Sequence, residues 1–72
     1  MVYTVKQARV LADKTQAEMA QALGISRWTY RKIELHPEEA KIGQAKKISE
    51  ITGVPLDDII FIADSTFGRQ EG

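Results

Sequence analysis

Apolar positions recur with helical spacing along the 72-residue chain, and the pattern is broken at short intervals by a capping residue, a glycine or a proline. A first helix is expected to open at Thr4. Gln7 follows three residues on, the capping-box arrangement in which hydroxyl and carboxamide satisfy backbone donors left open at a helix start. Val5, Ala8 and Ala12 then line one face. A second box, Thr15-Gln16-Ala17-Glu18, opens a helix that turns Met19, Ala20 and Leu23 inward. Gly24 suits the left-handed position just past its end. Ser26 is an N-cap for a third helix reaching about Glu34.

Pro37 interrupts the pattern. A fourth helix is expected over roughly residues 41–52, burying Ile42, Ala45, Ile48 and Ile51 and stopping at Gly53; Pro37-Glu38-Glu39 offers an alternative start. A short fifth helix is expected from Pro55 to about Ile60, with Asp57 and Asp58 in its first turn. No run alternates as a strand would. The expectation is an all-α, compact five-helix domain over residues 1–66, followed by a flexible C-terminal tail at residues 67–72.

The third helix carries the most information. At 100° per residue from Ser26, Tyr30 and Ile33 fall at about 40° and about 340°, facing inward with Ile25 behind them. Arg27, Arg31, Trp28 and Lys32 share an outward arc about 140° wide. Helix two, the four-residue break Gly24-Ile25-Ser26-Arg27 and helix three form an αα corner with a glycine at the bend. Two readings fit the arc taken alone. One is a solvated basic face with a half-packed tryptophan. The other is a helix shaped for the DNA major groove, with cations for guanine edges or phosphates and an indole for thymine methyls or sugars.

Composition narrows the choice. Hydrophobic residues make up 43% of the chain and charged ones 28%, enough for one small core and too regular for a disordered tail. There is no cysteine, which removes disulfides, thiolate metal sites and thiol nucleophiles. The start shows no long apolar run, and Ile59-Ile60-Phe61-Ile62 is far too short to span a membrane, so a cytoplasmic protein is expected. The formal net charge is zero, yet residues 1–36 hold six cations against three anions, and residues 37–72 hold four against seven. One half therefore suits phosphate and the other does not.

The spacing Thr15-Gln16-x-Glu18-Met19-Ala20-x-x-Leu23-Gly24-Ile25-Ser26-x-x-x-Tyr30-x-x-Ile33-Glu34 resembles the helix-turn-helix of the phage repressor and Cro family, the XRE family. The likeness extends upstream to Arg9 and downstream to Ile48-Ser49, Gly53-Val54-Pro55 and Asp57-Asp58-Ile59, nearly the whole chain. The resemblance implies a lambda-repressor-like domain that binds a double-stranded DNA operator, usually as a homodimer on a two-fold symmetric site.

Carried over by position, the resemblance assigns base contacts to Arg27, Trp28 and Lys32. It makes Gln16 a phosphate anchor at the start of helix two, where open N–H groups already favour an anion. Thr15, whose hydroxyl is expected to be occupied by capping, joins Lys14, Arg31, His36 and Lys41 as further phosphate contacts. Arg9 and Glu34 match a structural salt bridge joining helix one to the end of helix three. The dimer interface would comprise Val54, Pro55, Asp58, Ile59, Phe61 and Ile62, with Phe67 beyond them, while Leu56, Ile59 and Ile60 also help close the core. Several positions depart from the family pattern. Trp28 stands where a small or amide side chain is common, Lys14 where an apolar one is, and Ala40-Lys41 where Pro-Ser starts helix four. Glu38 and Glu39 place negative charge beside the expected DNA backbone.

The function expected is a sequence-specific transcriptional regulator, most simply a compact Cro-type repressor of phage or prophage that occludes a promoter. An antitoxin repressing its own operon would use the same surface. A protein-interaction module meeting an acidic partner on the Arg/Trp face is the alternative from another class. An enzyme is not expected. Ser26 serves as a cap, the lone His36 has no orienting partner in the sequence, and no glycine-rich phosphate loop occurs. No metal, cofactor, small-molecule substrate or membrane partner is expected.

Overall fold

Each of the first three helices begins where a side-chain oxygen closes its open end. In the computed structural model, which describes residues 1–61, helix α1 (Val5–Leu11) follows Thr4, α2 (Gln16–Leu23) follows Thr15 and α3 (Arg27–Leu35) follows Ser26. The Thr4 hydroxyl accepts from the Gln7 N–H at 3.0 Å while the Thr4 N–H donates to the Gln7 carboxamide at 2.9 Å. Thr15 and Glu18 repeat the arrangement at 3.0 and 2.8 Å, and Ser26 accepts from the Thr29 N–H at 3.0 Å. The fourth helix, α4 (Ile42–Thr52), lacks a side-chain acceptor at Lys41; only the Lys41 N–H is held, by the Gln44 carboxamide at 2.8 Å. Gly24 and Gly53 end α2 and α4 at φ +72° and +76°, where any side chain would be strained.

None of these helices is long enough to persist alone in water. They hold because each buries one face in a common core. Val5 and Ala8 come from α1, Met19 and Ala20 from α2, Tyr30 and Ile33 from α3 and Ile48 from α4, with Val54 and Ile59 closing the end. Leu23, Ile25, Ile51 and Phe61 pack around them, partly buried.

Three expectations are corrected. Among the described residues four α-helices form, not five: after Pro55 the chain makes one 3-10 turn, Leu56–Asp58, and then extends as a strand, Ile59–Ile60. This strand (β2) runs parallel to an N-terminal strand, β1 (Tyr3–Thr4), pairing Tyr3 with Ile59 and Thr4 with Ile60. Two consecutive β-branched residues favour the extended form, and the ladder supplies the backbone partners that a one-turn helix would leave open. In this strand Ile59 turns inward and Ile60 outward, so Ile60 and Leu56 stay 37% and 39% exposed instead of closing the core. Second, Ile42 is 73% exposed; at six residues before Ile48 it lies about 120° around α4 from the buried face. Third, Pro37–Glu39 does not start α4 but makes a separate 3-10 turn. The expected tail at residues 67–72 lies outside the described residues. Among the described residues no helix is long and apolar enough to cross a membrane.

A polar network ties α3 to the body. Glu34 accepts from Arg9 Nε at 2.6 Å and more weakly from Nη2 at 3.4 Å, from Gln16 Nε2 at 3.0 Å and from the Tyr30 hydroxyl at 2.6 Å. Arg9 also donates through Nη1 to the Lys14 carbonyl at 3.0 Å, bracing the α1–α2 turn where Asp13 takes φ +59°. The Arg9 and Glu34 side chains are only 12% and 7% exposed. Burial pushes the Glu34 carboxyl up, but the bonds from Arg9, Tyr30 and Gln16 outweigh it and hold its pKa below the ordinary 4.5. Burial, then the bond to Glu34, raises the pKa of the Tyr30 hydroxyl, which stays protonated and donating.

The unfolded chain therefore binds the Glu34 proton more tightly than the native one. Stability from this carboxylate is complete above pH 4.5 and declines as pH falls through the lower native value. Urea unfolding across that range should show the midpoint dropping below pH 4.5. Tyr30→Phe should lose about 1.5–3 kcal/mol at neutral pH, the worth of a hydrogen bond to a charged group. Its acid decline should be shallower than that of the wild type.

Candidate nucleic-acid interface

With Tyr30, Ile33 and Glu34 anchored inward, none of the described residues covers the opposite side of α3. Arg27, Trp28, Arg31 and Lys32 are all exposed, and the lone tryptophan keeps 66% of its surface in water. Indole at that exposure is poorly placed for stability and well placed for a partner. The corner that projects α3 is rigid for local reasons. Gly24 takes the left-handed turn, Ile25 packs against the core, and the Ser26 hydroxyl both caps α3 and donates to Thr29 Oγ1 at 2.9 Å.

Two open hollows lie along this face. One, about 420 Å³, is lined by Gln16, Arg27, Trp28 and Arg31. Its neighbour, about 520 Å³, is lined by Arg9, Lys14, Thr15, Gln16, Ala17 and Arg27. The fold thus brings Lys14, Thr15, Gln16, Arg27, Trp28 and Arg31 to one continuous surface around the start of α2. There the first-turn N–H groups of Gln16 and Ala17 have no intrahelical acceptor, a standing preference for an anion. The Thr15 hydroxyl is engaged as an acceptor by its own cap. The Glu18 carboxylate accepts the Thr15 N–H, and that bond above all holds its pKa below the usual range.

Gln16 is bound more firmly than the sequence implied. Its carboxamide donates to Glu34, which leaves one Nε2 hydrogen and the carbonyl oxygen for other partners. Reasoning from the sequence did not find this bond, because eighteen positions separate the two residues. The Tyr30–Glu34 bond was accessible, since the two stand at i and i+4 on one helix.

Other expected site residues lie apart. Lys32 is exposed on α3 but borders neither hollow. Lys41 is exposed at the start of α4, and His36 ends α3 with Nδ1 3.7 Å from Glu38 Oε2. Glu39 joins them, so the ligand-type atoms of His36, Glu38 and Glu39 lie within 4.8 Å of one another, all on exposed side chains. This cluster was not foreseen, since only the 3-10 turn gathers it. Of the residues expected at a dimer interface, Val54 and Ile59 are buried in the core at 8% and 5% exposure, Pro55 is exposed, and Asp58 and Phe61 are partly buried. Ile62 and Phe67 lie outside the described residues.

Residues 5–59 match the helix-turn-helix family. The chain is also similar to an uncharacterized HTH-type transcriptional regulator of Methanocaldococcus jannaschii, with 35% identity over 60 residues, covering 83% of this chain and 91% of that protein. No solved structure matches. The matched span contains the capping box of α2, the Gly24 corner, all of α3 and the Arg9–Glu34 pair, and the chain belongs to the XRE-type helix-turn-helix family of DNA-binding transcriptional regulators.

Proposed function

We propose that the protein is a sequence-specific repressor of Cro type that lays α3 in the major groove of an inverted-repeat operator and occludes a promoter. The observation that carries this reading is the uncovered outer face of α3, with Arg27, Trp28, Arg31 and Lys32 all exposed on a helix anchored from behind. Arg27, at the first position of α3, offers a planar two-pronged donor for guanine O6 and N7. Trp28 supplies an apolar plate for thymine methyls or deoxyribose, and Lys32 a mobile point charge for a base or phosphate. Gln16, Thr15 and Lys14 hold backbone phosphates around the start of α2, with Arg31 as a phosphate contact farther along α3 and Lys41 as an outlying one.

A neutral chain of this size gains too little from a single half-site to bind tightly at physiological salt, so the reading includes a homodimer. Two subunits place their α3 helices one turn of DNA apart, about 34 Å. Pro55, Asp58 and Phe61 form the contact, joined by the exposed Leu56 and Ile60; Val54 supports them from the core.

Selection of duplexes from a random pool should enrich an inverted repeat; recovery of no common sequence would refute the proposal. On the selected site, Arg27→Ala should weaken binding by about 1–3 kcal/mol, roughly 5–150-fold, and relax preference at one position per half-site. Lys32→Ala should weaken binding with base preference nearly intact. Because Trp28 is the sole tryptophan, its emission should shift blue when operator is added and stay unchanged with an acidic protein. Sedimentation should detect dimers on DNA, and Ile60→Asp should abolish them while leaving the thermal midpoint close to that of the wild type.

A further inference from the structure

A third hollow, about 420 Å³, lies where α1 passes the second half of α3, and Lys6, Arg9, Gln16, Arg31, Glu34 and Leu35 line it. Lys6 stands one turn before Arg9 on α1, and Arg31 stands one turn before Glu34 on α3. The Arg9–Glu34 pair therefore draws two ridges together, and Lys6 and Arg31 line the same hollow. Within each ridge the charges are not alike in circumstance. Arg9 and Glu34 neutralise one another, whereas Lys6 and Arg31 have no ion-pair partner among the described residues. Two exposed cations thus border one depression with no counter-charge left for them, an arrangement that an anion between them relieves. Leu35, 67% exposed, adds an apolar surface at the same place. Gln16 is the wall shared with the two hollows along α3, so the three form one track.

We infer that Lys6 and Arg31 together seat a DNA backbone phosphate beyond those held at the start of α2, with Leu35 against the adjoining deoxyribose, so that α1 is part of the DNA surface. The inference rests on the proposed operator binding and extends it to a residue with no assigned role. A phosphodiester fits better than an acidic side chain because the track continues through Gln16 to Lys14 and Arg27, matching a string of evenly spaced charges. The contact is to backbone alone. It adds affinity and salt dependence without base preference.

The test is operator affinity as a function of salt for the wild type, Lys6→Ala, Lys6→Arg and Lys46→Ala. Lys46 is an exposed cation on α4 that borders none of the three hollows, and serves as a control for charge alone. Lys6→Ala should flatten the slope of log K against log salt by about 0.9 per bound subunit, an affinity difference of about 3-fold per subunit between 50 and 200 mM salt. Its ratio of operator to scrambled-duplex binding should not change. Phosphate-ethylation interference should lose one backbone position per half-site, and Lys6→Arg should restore both readouts. Circular dichroism of each variant checks that the fold is kept. An unchanged slope for Lys6→Ala, or an equal change for Lys46→Ala, overturns the inference and leaves operator binding standing. Failure of the wild type to select any duplex removes both.

Discussion

A single buried carboxylate decides how the helices sit. Glu34 receives donors from α1 through Arg9, from α2 through Gln16 and from its own helix through Tyr30. At 7% side-chain exposure, an isolated carboxylate would protonate and the site would loosen; the converging donors keep it charged. Such a cluster contributes little net stability compared with well-packed apolar groups, because desolvation offsets the attraction. What it adds is direction. Among the described residues nine are buried in the apolar core, and contacts among such side chains tolerate small slides, whereas hydrogen bonds to one carboxylate do not. The orientation of α3, and with it every outward side chain, follows from that constraint.

Much of this was legible in the chain because the signals are local. Thr4, Thr15 and Ser26 announce their helices within three residues of themselves, and Gly24 and Gly53 end theirs through backbone geometry alone. Helical periodicity likewise placed Tyr30 and Ile33 inward and Arg27, Trp28, Arg31 and Lys32 outward. What escaped depends on partners distant in sequence. A two-residue strand has no period to detect, and β2 exists only because β1 is waiting more than fifty residues upstream. Ile59-Ile60 read as helix for the same reason. The hydrogen bond from Gln16 to Glu34 and the meeting of Lys6 and Arg31 at one hollow are equally invisible until α1 and α2 are packed against α3.

The short parallel ladder has a structural consequence. Parallel strands cannot be joined by a tight turn, so the whole helical body, residues 5–58, serves as the crossover between β1 and β2. The ladder fastens the first described residues to the last. It also holds the N-terminal end of α1 in place, and Lys6 lies in that first turn. A helix at residues 55–60 would have spread Leu56, Ile59 and Ile60 around a cylinder. The strand instead sorts them, with Ile59 buried at 5% and Ile60 turned out, giving the closing segment one inner and one outer face.

The zero net charge gains meaning from this placement. Once Arg9 is neutralised by Glu34, five cations remain in residues 1–36, and each either lies on α3 or lines a hollow against it: Lys6, Lys14, Arg27, Arg31 and Lys32. The acids that balance them among the described residues sit largely elsewhere, at Glu38, Glu39, Glu50, Asp57 and Asp58. Separated in this way, equal numbers of charges give a protein with no overall attraction to a polyanion but a strong preference for one orientation toward it. On the proposed reading, non-specific binding is weak, and the discrimination that matters to a regulator, a right site against a vast excess of wrong ones, is set by how well the face of α3 fits rather than by bulk charge.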